Sequence, residues 1–329
     1  MRLRLVVSLS VLAFLLSAQL SLAQSWEAHQ LEGSASWIDN HNRIAGSAYS
    51  FETGTVRAVV WNSDGVIIAN LGDGCADFIS DSGLVAGVSN SRAVVWDLNG
   101  GRTEYDPIDG FTMSRANYVT SSGLVIGVSS YDDLSSVRVY TIWQPDGTAM
   151  TVGDLTGDPS FLLWGITDSG VLYGSTKGYN VNQYDTWTSE TGFVSHDIPG
   201  WVLAISACGN VCGFFPGFRQ LVGVDPTELL LPDGAVSAIG YGISDSGYVA
   251  GRVDDKAAVW DRDGLVHLLG DGTARKVNNQ GTVIGNIQLG AEYNYQGKTV
   301  VWVMVPEPSS IIIVLCGFGS VGLLRRKRT

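Results

Sequence analysis

Thirty-two acidic residues are the richest potential source of chemistry in this chain, and hydrolysis of a glycosidic bond needs two carboxyl groups facing across a cleft. Asp81, Asp168 and Asp245, however, occupy one equivalent place in a recurring phrase, and Asp64, Asp146, Asp233 and Asp263 occupy another. Recurrence of that kind is what turns require, because Asp bonds its own backbone and the following glycine takes a positive φ. The non-recurring acids Glu52, Asp132, Asp133, Asp185, Glu190, Glu228 and Glu292 show no spacing that singles out a pair. Asn62-Ser63-Asp64-Gly65 and Asp261-Arg262-Asp263-Gly264 match the opening of a calcium loop but lack its distal acidic ligand. His29, His41, His196 and His267 are scattered, and there is no nucleophile elbow, phosphate loop or Cys/His metal pattern. The expectation is therefore no catalytic residue, no metal and no cofactor.

Binding chemistry is better represented. Long stretches 47–55, 129–137, 175–185 and 286–298 recur at one place in the phrase and carry Tyr49, Phe51, Tyr131, Tyr179, Tyr184, Tyr293 and Tyr295. Tyrosine on loops over a rigid scaffold is a recognition surface for carbohydrate or protein. Cys208 and Cys212 flank the turn at Gly209 and Asn210; they either staple that hairpin or remain two buried thiols, and Cys75 is then unpaired.

What must position these residues is a repeat of about forty residues. Its fullest copies begin ISDSGLVAGVS at 79 and ISDSGYVAGRV at 243, with Asn42, Gly83, Gly123, Gly170, Gly209, Gly247 and Gly281 marking the register. Trp61, Trp96, Trp143, Trp187, Trp260 and Trp302 end the third apolar run of their units, and the unit around Val224 lacks that tryptophan. Short β-branched runs separated by Asp/Asn/Gly clusters are strands and hairpins, four to a unit. The fold class expected is an all-β, seven-bladed β-propeller of four-stranded repeats. Its seventh blade is completed by pairing of residues 26–31 with 299–303. An open β-solenoid is the alternative.

The ends of the chain read as targeting. Arg2 and Arg4, the apolar stretch 5–18 and small residues Ser21 and Ala23 form a secretory signal, with cleavage between Ala23 and Gln24. Residues 24–305 are the propeller domain and 306–329 a tail: Pro306-Glu307-Pro308, an apolar segment 309–324 marginal for a membrane span, and a basic stop of Arg325, Arg326, Lys327 and Arg328. The tail resembles the PEP-CTERM sorting signal of Gram-negative bacteria. That resemblance implies passage through the Sec translocon, transient inner-membrane insertion, processing by an exosortase and delivery to the cell surface or extracellular polysaccharide. The repeats resemble the HAF family of bacterial extracellular proteins, with His-Ala-Phe represented by variants at Arg57-Ala58-Val59, Arg92-Ala93-Val94 and Lys256-Ala257-Ala258. That family implies no defined activity.

The formal net charge of −12 disfavours nucleic acid, and residues 24–305 are more acidic still because both ends are basic. The function expected is a non-catalytic surface or matrix protein that binds extracellular polysaccharide or another surface protein. The alternatives are a polysaccharide-active glycosidase or lyase, and a form that keeps its tail as an inner-membrane anchor.

Overall fold

The structure is a computed structural model that describes residues 24–132, 137–167, 169–176, 183–214, 216–287 and 298–306. Residues 28–303 form one compact unit. Among the described residues it is all-β apart from a five-residue helix, Val152–Thr156, capped by the Thr151 hydroxyl. Five sheets have four strands each, joined in sequence order, and a sixth has seven. The larger sheet is two blade-like groups connected through the continuous strand Val266–Val277. The Gly-Asp-Gly of 270–272 therefore lies within a strand, passing from one group to the next by the positive φ of Gly270 and Gly272. The strand Gln24–Gln30 lies beside Lys298–Pro306, and the Leu31 amide donates to the Thr299 carbonyl at 2.9 Å.

The first turn of each repeat is built the same way. Its opening residue, Asp39, Ser80, Thr120, Thr167, Ser206, Ser244 or Asn278, accepts a hydrogen bond from the amide four residues on. The register residue has a positive φ, from 59° at Asn42 to 100° at Gly209. Own-backbone bonding thus belongs to the residue before Asp81 and Asp245, and the aspartates are free for another task.

Each strand that enters this turn carries a bulge, with the register shifting across Ser36, Asp77, Asn117, Trp164, Leu203, Tyr241 and Arg275. Opposite the residue before the bulge sits a glycine of the next strand. A Cβ at Gly87 would run into the Cys75 carbonyl, and one at Gly251 into the Ile239 carbonyl. This glycine thus admits the bulge, and a bulge re-aims the extra residue.

The core lies between successive sheets. Ala45, Val60, Ile79, Val94 and Trp96 make one cluster, and Ala86, Tyr105, Val119 and Trp143 the next. Leu31, Ile38, Ile44 and Trp61 pack with Ile284 and Val301, joining the two ends of the repeat array in one cluster. Trp61, Trp143, Trp260 and Trp302 are fully buried. In the unit without the tryptophan the third strand is Phe218–Gln220, and the ring of fully buried Phe218 lies against Gly213 as Trp61, Trp96 and Trp260 lie against Gly46, Gly87 and Gly251. The substitute is therefore Phe218; Val224 is exposed in the loop that follows.

Among the described residues no helix is long and apolar enough to cross a membrane. Ala23, Glu307, Pro308, the segment 309–324 and the basic stop Arg325–Arg328 lie outside the described residues; Gln24 opens its strand and Pro306 closes its own.

Candidate functional site

The bulged strands converge on a shared channel. One lobe, about 460 Å³, is lined by Trp37, Tyr118, Trp164, Tyr173, Trp201 and Phe214; an adjoining lobe of about 360 Å³ adds Ser36, Asp77, Asn117 and Tyr140. Both volumes fall in the range of small-molecule sites, about 300–1,000 Å³. A smaller chamber of about 90 Å³ at the first-turn end is bounded by Asp39, Asp81, Asp245 and Asn279. Lys276 lines all three.

The wall is aromatic and packed. Trp37 lies 4.7 Å from Phe78 and edge-on to Tyr118 at 6.0 Å, and Trp201 meets Phe214 at 5.2 Å. Tyr118 donates its hydroxyl to the Trp164 carbonyl at 3.3 Å. Burial, with Asp77 nearby, raises the Tyr118 phenol above its ordinary range, and burial lifts Tyr173 well above it, so both remain protonated. Asp77 is the carboxylate of the two larger lobes, and Arg115 holds it in a fork, Nε to Oδ2 at 2.7 Å and Nη2 to Oδ1 at 2.6 Å. The Lys276 ammonium sits 4.2 Å from the Trp37 ring centre. Lys276 is half-buried by surface area because the channel reaches it, while protein surrounds it on every other side; desolvation lowers its pKa to about 8. Next to it, Cys212 is buried and its thiol is pushed up to about 12, again by desolvation.

The acidic first-turn end has a different character. Asp39, His41 and Asp81 bring potential ligand atoms within 4.8 Å of one another. Those atoms are already in use. Asp39 Oδ1 accepts from the amides of His41 and Arg43, and its Oδ2 accepts from Arg43 Nε at 2.6 Å. Burial raises the Asp39 carboxyl, while the bonds from Arg43 oppose that rise. Asp81 accepts from Asn40 N and Nδ2 at 2.8 Å each, and Asp245 from Cys208 N at 2.7 Å. Asn279 takes the same part, accepting from Ser246 N and donating its own amide to Asn40 Oδ1. The sequence reading of Asp81 and Asp245 as turn-forming residues is therefore refined: they latch one repeat's turn to its neighbour's. Of the second-turn acids, Asp146 does bond its own turn, through Thr148 N. Asp261 accepts from Leu265 N and lies 3.0 Å from His267 Nε2, which occupies the oxygens a calcium loop would use.

The tyrosine set divides. Tyr49 and Tyr131 are exposed at 56% and 51%, stacked edge-on against Phe51 and tilted against Phe111 respectively. Tyr184 is not on a loop surface: it lies in the strand Gln183–Thr188, 7% exposed, packed with Tyr173, Ile198 and Phe218. Strand alternation turns it inward while its neighbour Asp185 is fixed by Thr176 and Ser195. Tyr179, Tyr293 and Tyr295 lie outside the described residues. The Cys208–Cys212 staple does not form. Cys208 is exposed in the turn, its Sγ 3.3 Å from Ser206 Oγ, whereas Cys212 pairs across the hairpin with Ala204 and points into the core. Cys75 is likewise a free thiol.

The channel residues Trp37, Tyr118, Trp164 and Lys276 were not singled out from sequence. The signal available was that these positions, just before each Asp/Ser-Gly turn, change chemical type from unit to unit while their surroundings repeat.

No protein-family model matches the chain, and no curated protein matches it. The solved structures to which the chain is similar include two propeller-like proteins. One is a streptogramin B lyase, with 11% identity and a TM-score of 0.54, covering 86% of this chain and 98% of that one. The other is a puromycin hydrolase, with 11% identity and a TM-score of 0.50, covering 84% of this chain and 52% of that one. At such identities the likeness is one of fold alone.

Proposed function

We propose that this chain is an exported, seven-bladed, ring-closed propeller that acts without catalysis at the cell surface or in the extracellular matrix and holds a ligand in its aromatic channel. Closure is supported by the Leu31–Thr299 bond and by the Asn279–Asn40 latch, which join the first and last repeats. The observation that carries the binding reading is the wall of Trp37, Tyr118, Trp164, Trp201 and Phe214 around the larger lobe. Flat aromatic faces stack on the apolar faces of sugar rings and of aromatic ligands. Glycosidase chemistry has less support, because it needs two carboxyl groups and Asp77, neutralised by Arg115, is the acid among the described residues of the two larger lobes. The neighbours named as a lyase and a hydrolase supply the enzyme alternative by fold, and function resides in sites rather than folds. Export, exosortase processing and association with extracellular polysaccharide rest on the tail 306–329 and belong to the same proposal. Incubating the purified protein with the producing cell's extracellular polysaccharide tests it. Retention without release of reducing sugar, abolished by Trp201→Ala, is the expected result; release of sugar overturns it in favour of an enzyme.

A further inference from the structure

We propose that the ligand of this channel is a six-membered ring bearing one carboxylate, its ring stacked on the aromatic wall and its carboxylate seated on the Lys276 ammonium. This deepens the channel-binding reading above and rests on it. Lys276 is a cation inside the fold, 4.2 Å from the Trp37 ring centre and beside the Cys212 thiol; among the described residues it has no hydrogen-bond or ion-pair partner. A charge partly withdrawn from water and left without a counter-charge is costly, so a site that keeps one has a use for it.

The groups around it point the same way. Arg275, the bulged residue beside it, lies 5.6 Å from the Tyr241 ring and adds positive charge. Cys212, on the strand behind, is a neutral thiol at physiological pH. Asp77, the acid among the described residues of the two larger lobes, is spent on Arg115, and the Tyr118 and Tyr173 phenols stay neutral. Among the described residues the two larger lobes therefore carry Lys276 as their unpaired charge, while the aspartates of the small chamber it also lines, Asp39, Asp81 and Asp245, are engaged by Arg43, Asn40 and Cys208, all inside a protein of net charge −12. That outer charge repels a polyanion at long range, and it leaves a compact monocarboxylate as the anion that reaches Lys276 at least cost. The adjoining lobes of about 460 and 360 Å³ take a ring with room for a substituent or a chain end.

The two sources of such chemistry are an aromatic acid and a uronic acid. Phenylacetate and D-glucuronate are titrated into the full protein at pH 7 by calorimetry and tryptophan fluorescence, each against its neutral counterpart, phenylacetamide or D-glucose. The expected result is that at least one acid binds tenfold or more tighter than its neutral counterpart, and which acid does so identifies the source. Lys276→Met and Lys276→Gln should remove that preference, Lys276→Arg should keep it, and it should decline above about pH 8 as the ammonium loses its proton. Thermal unfolding and circular dichroism establish that the variants are folded. Equal binding of acid and neutral ring, or a preference that survives Lys276→Met, overturns the carboxylate inference while leaving the channel reading in place. Failure of all four probes to bind overturns the carboxylate inference, whereas polysaccharide retention that survives Trp201→Ala overturns the channel reading on which it rests.

Discussion

The two ends of the innermost strands solve opposite problems with similar residues. At the turn end, polar groups recur from unit to unit and each carboxylate described there has a donor: Asp39 holds Arg43, Asp81 holds Asn40, and Asp245 holds Cys208. A few residues away, at the bulge, the backbone recurs but the side chains do not, running from Ser36 and Asp77 through Trp164 to Arg275. Recurrence of a side chain marks a structural duty repeated around the fold. A recurrent backbone device carrying unlike side chains marks a place where each copy is free to serve a ligand.

That contrast can be broken or sharpened by substitution, beginning with the shared framework. Trp260→Ala removes a fully buried ring whose Nε1 donates to the Leu230 carbonyl. It should cost about 3–5 kcal/mol, read by chemical denaturation. Trp201→Ala, at 38% exposure on the channel wall, should leave stability nearly unchanged while removing ligand retention. If both changes cost the same stability, core and site are not separate. Gly87→Ala should destabilise by about 1–3 kcal/mol because the new Cβ meets the Cys75 backbone rather than a movable side chain. A neutral outcome would mean the bulge is not needed.

Lys276→Met acts in the opposite direction. Removing a desolvated, unpaired cation in favour of a similar apolar volume should stabilise by about 1 kcal/mol. The Lys276 pKa is lowered from 10.5 to about 8, so between those values the unfolded chain binds more protons than the folded one and stability rises with pH through that window. The variant should lack that rise, measured as the melting temperature against pH from 7 to 11. Asp245→Ala should lose about 1 kcal/mol through the broken latch to Cys208 and leave ligand retention intact. Smallest of all, Tyr49→Ala on the exposed loop should change stability by less than about 0.5 kcal/mol, and its effect on retention decides whether the loops add to the channel.

Much of the architecture was legible in local spacing. The Asp/Ser-Gly turns, the β-branched runs and the recurring tryptophan are short-range signals, because a hairpin is specified by a few neighbouring residues. In the fifth unit, which lacks the tryptophan, burial asks for volume against a glycine and not for indole as such, so Phe218 serves in its place, a substitution that spacing does not display. Tyr184 misled the reading, because a tyrosine next to a variable loop reads as exposed, whereas in its strand, paired with His196 across the sheet, it is buried.

By itself the sequence determined the all-β class, the repeat and the positions of turns, since these follow from backbone preferences and from a periodicity of apolar residues that a linear chain displays openly. The tertiary structure alone decided that Trp37, Tyr118, Trp164, Trp201 and Lys276, spread over some two hundred and forty residues, share one channel. It also decided that Cys208 and Cys212 face apart. Convergence of distant strands, and the side of a strand on which a bulge leaves a residue, depend on how the sheets pack against one another, and no single repeat contains that information.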